Sequence, residues 1–190
     1  MRLLAARGIV LDVVDLGERD RIVTFLTAEH GKKRGVARGA RAKYSRFAGQ
    51  LQPLATAHLR WAEKEGRELV RIADVQLVRP AAPIQADLEG SLLGSYLAEH
   101  LMEFAQEDEP SDAHYRLLDS TLDALLAGAD RDLAARYLEV WVLRLAGLLP
   151  VPRECPLCGR ALEARAALLE SEAAIVCPAC AAGHRRYPLG

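Results

Sequence analysis

No run of about 18 uncharged apolar residues occurs in the chain, so no segment reads as a membrane-spanning helix. The best candidate, Leu133 to Leu149, is interrupted by Arg136, Glu139 and Arg144 and reads as a buried helix instead. The N-terminus carries Arg2 and Arg7 but lacks the apolar run and small-residue cleavage site of a secretory signal, which predicts a cytoplasmic protein. Catalytic signatures are missing too: there is no GxxxxGK[ST] phosphate loop, no GxGxxG between a strand and a helix, no HExxH and no GxSxG. His30, His58, His100, His114 and His184 are scattered, with no helical partner at metal-ligand spacing. The acidic cluster Glu107, Asp108, Glu109 and Asp112 reads as a solvated loop between helices. These absences predict a binding protein and not an enzyme.

A strong net charge is also lacking, because 25 Lys/Arg face 26 Asp/Glu for a net of −1. The balance conceals a split. Residues 1–80 hold sixteen Lys/Arg against nine Asp/Glu, a net of +7, and residues 81–190 hold nine against seventeen, a net of −8. Such a split favours an anionic partner for the first part, or attraction between the two parts. The positive charge is concentrated in GKKRGVARGARAKYSRFAG, Gly31 to Gly49, where Lys32, Lys33, Arg34, Arg38, Arg41, Lys43 and Arg46 stand without a carboxylate. Tyr44 and Phe47 lie among these cations. That interleaving suits a single-stranded nucleic acid, with cations for phosphates and rings for base faces. Core packing is the competing assignment for both rings.

With 51% apolar and 27% charged residues, the composition is that of an ordinary folded protein. Residues 1–80 read as five short strands. In the first, Ile9, Leu11 and Val13 alternate with Val10, Asp12 and Val14 up to the DLGERD turn. RIVTFLT, Arg21 to Thr27, is β-branched and aromatic, and AEHG closes a hairpin to the segment starting at Lys32. Gln52 to Ala62 alternates again, with Leu59 and Trp61 on one face and His58 and Arg60 on the other. The fifth strand, Leu69 to Val78, changes phase between Val70/Ile72 and Val75/Leu77, which predicts a β-bulge of the kind that turns corners in small barrels. An oligonucleotide-binding barrel and an SH3-like barrel both fit this pattern.

Pro80 and Pro83 mark a boundary, after which the period becomes helical. Leu88, Leu92, Tyr96, Leu97, Leu101 and Phe104 define the apolar face of a first helix. Ser111 or Asp112 caps a second, whose face is Tyr115, Leu118, Leu122, Leu125 and Leu126 and whose end is Gly128. A third, from about Arg131 to Leu149, is apolar nearly all round and ends at Pro150, which predicts the centre of a helical domain. The expected class is therefore α+β and multidomain: residues 1–80 a basic barrel, and residues 81–190 an all-α domain carrying a metal lobe over about 150–185.

That lobe rests on the four cysteines. They occupy two identical frames, Cys155-Pro-Leu-Cys158 and Cys177-Pro-Ala-Cys180. Two such knuckles supply the four thiolates of a tetrahedral zinc site, and Gly159 eases the first turn. Four thiolates fill the coordination sphere and leave no place for an activated water, so the Zn2+ is expected to be structural. Two disulfides or idle thiols are the alternatives, and disulfides suit an intracellular chain poorly. His184 can in principle replace one ligand, but a surface histidine is the simpler assignment.

The residues RGIVLDVVDLGERDRIVTFLTAEHGKKRGVARGARAKYSRFAGQLQP resemble the N-terminal domain of the RecO family of DNA repair and recombination proteins almost throughout. YLEVWVLRLAGLLPVPRECPLCGR is similar to that family's last core helix and zinc knuckle. The resemblance implies an oligonucleotide-binding barrel followed by a helical domain with an inserted zinc site. It also implies binding of single- and double-stranded DNA, annealing of complementary strands, and partnership with RecR and single-strand-binding protein in loading RecA. Carried over, the DNA contacts are Lys32, Lys33, Arg34, Arg38, Arg41, Lys43 and Arg46, and the zinc ligands are Cys155, Cys158, Cys177 and Cys180. Family members usually continue beyond the second knuckle as further helix, whereas this chain stops at Gly190, so a shortened chain and a smaller helical domain both stay open. A zinc-containing protein-interaction adaptor without DNA binding is the alternative from another class, and a zinc-dependent hydrolase is a third.

Overall fold

The computed structural model describes residues 1–149, 153–162, 166–170 and 174–189. It divides into two compact units, Met1–Ala146 and Gly147–Gly190. In the first unit, β1 (Arg2–Leu16), β2 (Asp20–Thr27), β3 (Gly31–Ala37), β4 (Thr56–Glu63) and β5 (Val70–Arg79) close into a barrel in the order β1-β2-β3-β5-β4. Closure depends on β1 serving two neighbours. Its first half pairs with β4 from Arg2 to Ile9, and its second half pairs with β2 from Gly8 to Leu16. Gly8 lies where the two ladders overlap, and a Cβ there would sit 2.8 Å from Leu59 Cδ1 and 3.1 Å from the Leu26 carbonyl oxygen.

The fifth strand carries the bulge its phase change predicts. Arg60 pairs with Asp74 and Trp61 with Ile72, so Ala73 is the extra residue, and Ile72 and Val75 both point into the barrel. Two further register shifts, one at Val78 of β5 and one in β1 between Val10 and Asp12, were not expected. The β1 shift is the more consequential. It turns Val13 inward beside Val10 and leaves Ile9 and Leu11 outside under the helices, so the simple alternation read for this strand is broken. Each bulge tightens the local twist, as a five-stranded closure needs. Phe25, Leu59, Trp61, Ile72 and Phe47 fill the interior, with the Phe25 and Trp61 rings edge to face at 5.3 Å.

The helices α1 (Leu88–Phe104), α2 (Asp112–Leu126) and α3 (Arg131–Leu145) follow. Asp87 caps α1 by accepting from the Gly90 amide at 2.7 Å, and Asp130 caps α3 through Leu133 at 2.8 Å. Ser111 occupies the N-cap position of α2, but its hydroxyl pairs with His114 Nδ1 instead. Leu97 and Leu101 of α1 meet Leu118 and Leu122 of α2, Leu138 and Val142 of α3, and the outward Ile9, Leu11 and Leu26 of the barrel. The buried stripe of α1 differs from the predicted one at its start. Leu88 and Leu92 are exposed, and Gly90 and Gly94 face inward, because the backbone approaches so closely that a Gly90 Cβ would stand 1.9 Å from the Ile84 oxygen.

The third helix is not the centre of this packing. Only Ala134, Ala135, Leu138 and Val142 are buried, while Leu133 is 68% exposed and Tyr137 and Val140 are also open. The helix is apolar nearly all round, yet α1 and α2 cover one face alone, so it packs at the side of the helical group and not at its centre. The Pro150 stop lies outside the described residues. In the second unit, β6 (Ala166–Leu169), β7 (Ala174–Val176) and β8 (Arg186–Leu189) form a small antiparallel sheet in the order β7-β6-β8.

Candidate nucleic-acid interface and metal centre

The basic stretch is not one loop. Its first part is β3, where alternation sends Gly31, Lys33, Gly35 and Ala37 inward and Lys32, Arg34 and Val36 outward. Lys33 therefore enters the end of the barrel. Its ammonium donates to Glu63 Oε1 at 2.8 Å and Asp108 Oδ1 at 2.6 Å, and its side chain is 9% exposed. Burial disfavours the charged ammonium, but the hydrogen bonds to Asp108 and Glu63 outweigh it and raise its pKa above the ordinary 10.5. Lys32 lies outside but under α1. Its ammonium donates to the Met102 carbonyl, and its backbone exchanges hydrogen bonds with Gln106 and Asp108. Both lysines, predicted to touch DNA, instead hold the acidic α1–α2 loop against the barrel. The remote partners Glu63, Met102 and Asp108 could not be read from local sequence.

The second part, Arg38 to Gly49, is a loop fastened at its base. The Gly39 amide donates to Asp20 Oδ1 at 2.8 Å. Arg41 donates to the Gly17 carbonyl at 2.6 Å and pairs with Asp15 at 3.3 Å. Phe47 is 2% exposed within the barrel core, which excludes it from stacking on a base and corrects its assignment as a nucleic-acid contact. Tyr44 is 90% exposed, with the Lys43 ammonium 5.6 Å from its ring centre. Arg46 lies 4.8 Å over Phe47 with its guanidinium still open to solvent. Barrel cations in ion pairs are Arg7, Arg21, Lys32, Lys33, Arg41, Arg60 and Arg79. Of the cations in the basic stretch, Arg34, Arg38, Lys43 and Arg46 have no such partner among the described residues, and all four are exposed, as are the likewise unpaired Arg2, Arg19 and Lys64 elsewhere on the barrel.

Two further arginines join them. Arg67, in the β4–β5 turn, and Arg71, on β5, share a groove of about 520 Å³ with Arg38. In sequence they sit in KEGRELVR, where Glu65 and Glu68 are interspersed among the cations and no cationic run is visible. The pairing of Val36 with Arg71 brings them to β3.

The four cysteine sulfurs lie within 4.8 Å of one another, with Cys158 and Cys177 3.8 Å apart. A tetrahedral site with ~2.3 Å metal–sulfur bonds has edges of ~3.8 Å, so the donor set fits zinc. The two knuckles repeat one geometry. The Gly159 amide donates to the Cys155 carbonyl at 2.8 Å, and the Ala181 amide donates to the Cys177 carbonyl at 3.0 Å. Amides of Cys177, Leu157 and Cys158 point at the Cys155 sulfur and lower its pKa to about 6. The Cys180 amide does the same for Cys177. Cys180 is pushed up to about 12 by hydrogen bonds to the Cys158 and Cys177 sulfurs. A thiol so placed holds its proton until a cation displaces it. Among the described residues His184 is exposed and no part of this cluster.

Residues 1–81 match the family model described as Recombination protein O N terminal, and residues 85–188 match Recombination protein O C terminal. The DNA repair protein RecO of Anaeromyxobacter sp. (strain K) is 39% identical over 184 residues, 96% of this chain and 72% of that protein. The RecO proteins of Myxococcus xanthus and Koribacter versatilis are 36% and 31% identical over 91% and 86% of this chain, and 70% and 67% of their own lengths. No described helix is long and apolar enough to cross a membrane.

Proposed function

The chain belongs to the RecO family of DNA repair proteins, and from that premise we propose that it is a non-catalytic DNA-binding and strand-annealing mediator of recombinational repair. The observation that carries this reading is the set of unpaired, exposed cations Arg34, Arg38, Lys43 and Arg46 around the exposed Tyr44 ring. The cations attract phosphates, and the ring offers a face to one base. The five-stranded order with its parallel β3–β5 closure supports a barrel of the oligonucleotide-binding type. Holding two strands on a cationic surface lowers their mutual repulsion and raises their local concentration, which is what annealing requires.

In this reading RecR and single-strand-binding protein are protein partners, RecA is loaded as a consequence, and the site of work is the cytoplasm. The open apolar side of α3, with Leu133, Tyr137 and Val140, supports protein contact by the helices. Cys155, Cys158, Cys177 and Cys180 would hold a Zn2+ whose role is to cross-link the small lobe. Four thiolates complete its coordination, so it supplies no open site for a substrate.

The test is oligonucleotide affinity as a function of salt. For single strands these four cations are expected to contribute about 3 to the magnitude of the log–log slope, ~0.7 for each contact. Replacing Arg34, Arg38, Lys43 and Arg46 by Ala should abolish both the binding and the annealing of complementary strands at low salt. Unchanged affinity in that variant would overturn the assignment.

A further inference from the structure

The β3–β5 contact is the one parallel step in the barrel and spans only two residue pairs, Gly35 with Val70 and Val36 with Arg71. It exists because β3 has no side chain at position 35. A Cβ there would stand 2.8 Å from both Ile72 Cγ1 and Val70 Cγ2. The ladder then stops, since β3 ends at Ala37 and the chain turns back with the Ala40 amide donating to the Ala37 carbonyl. A groove of about 520 Å³ is left at this seam. Arg38 from the end of β3, Arg67 from the turn and Arg71 from β5 line it together with Val36, Leu69 and the single carboxylate of Glu68, so three cations face one anion.

All three guanidiniums are exposed, and among the described residues none is in an ion pair. Like charges gathered round one concavity repel each other and raise the energy of the empty fold. Low-dielectric walls focus that field outward on an approaching anion. Guanidinium forks match phosphate oxygens in pairs, and an apolar floor suits the faces of sugars. Three forks in series exceed what one small phosphate can engage, whereas a phosphodiester chain presents an acceptor at every step. Arg38 also begins the basic loop, so the groove and the loop are contiguous along the chain.

We infer that the β3–β5 groove is a second nucleic-acid contact, in which Arg67 and Arg71 hold the sugar–phosphate backbone of a strand that continues past Arg38 from the Tyr44 loop. This rests on the nucleic-acid reading of the loop. It extends the contact surface to residues outside the basic stretch.

The experiment measures anisotropy of a labelled oligothymidylate with the full chain between about 50 and 200 mM NaCl. Four proteins are compared: the parent, Arg67→Ala/Arg71→Ala, Lys43→Ala/Tyr44→Ala/Arg46→Ala, and Arg60→Ala, whose residue pairs with Asp74 on the barrel's outer face. The groove variant should keep the parental melting curve and bind at least ~10-fold more weakly at low salt. Its salt slope should be shallower by about 1.4, two contacts at ~0.7 each. If the loop variant weakens binding but the groove variant matches Arg60→Ala in affinity and slope, the groove assignment is wrong. If the parent does not bind at all, the reading of the loop fails and takes this one with it. Inorganic pyrophosphate at the same phosphate concentration should leave the oligonucleotide bound; its displacement would make this a free-phosphate site and overturn the strand assignment.

Discussion

Phe47 and Tyr44 are three positions apart in one loop and have opposite fates. Phe47 fills the barrel with Leu51, Leu59 and Trp61, while Tyr44 stands almost wholly in solvent. Phe47→Ala should therefore cost ~3–5 kcal/mol in a urea titration. Tyr44→Ala should leave stability within ~0.5 kcal/mol but weaken single-strand binding by ~1–3 kcal/mol, one stacked base. Lys33 sets a different kind of test. Burial pushes Glu63 up, but hydrogen bonds from Lys33 and the Trp61 ring N–H outweigh it and hold Glu63 below its ordinary 4.5. A depressed carboxyl stabilises the fold above its unfolded pKa and loses that contribution as pH falls through the folded value. The raised Lys33 stabilises below 10.5 and loses its contribution as pH rises past its folded value. Lys33→Met should thus destabilise by ~1–3 kcal/mol near neutrality. The gap to the parent should close as the pH is lowered beneath 4.5, where Glu63 becomes neutral in both. A gap that is constant down to pH 3 would mean packing, not charge, dominates.

At the scale of elements, strand alternation and its phase error were legible because both are local. Ala73 must bulge if Val70, Ile72 and Val75 are all to point inward. The bulge in β1 was hidden because apolar residues occupy both phases from Ile9 to Val14, so no inside face stands out. The same cause misplaced α3, whose apolar residues surround the helix and name no buried side. The weakest join of the barrel is its parallel seam. Gly35→Val should cost ~1–3 kcal/mol by overpacking against Ile72 and Val70. It should also lower oligonucleotide affinity relative to the parent, because the groove lies on that seam. The comparison is made by urea midpoint and anisotropy on the same samples.

For the whole molecule, the division falls after Ala146, with barrel and helices in one unit and the cysteine lobe in another. The lobe's core is small, with Ala167, Leu169, Val176 and Ala181 around the buried Cys155 and Cys177. Among the described residues this core is small against the entropy of ordering a lobe, and thiolate–zinc ligation would add ~10–16 kcal/mol, as in small zinc domains at neutral pH. If the four cysteines hold Zn2+ as proposed, the parent should yield one zinc per chain to a chromogenic chelator, and Cys155→Ser/Cys177→Ser should carry none and lose amide exchange protection over residues 166–170 and 174–189. Protection in 1–146 and oligonucleotide affinity should be retained. Loss of both would mean the lobe supports the barrel.

Local sequence carries what depends on neighbours in the chain: five strands, three helices, the two cysteine knuckles, and a concentration of positive charge near β3. Tertiary structure alone decided which charges are free. Strand pairing turned Lys33 inward and α1 covered Lys32, while parallel closure carried Arg67 and Arg71 from a neutral-looking segment to the side of Arg38. The physical reason is range. Side-chain period and thiol spacing act over a few residues, whereas burial and ion pairing join groups as far apart as Lys33 and Asp108, which meet only when the chain has closed.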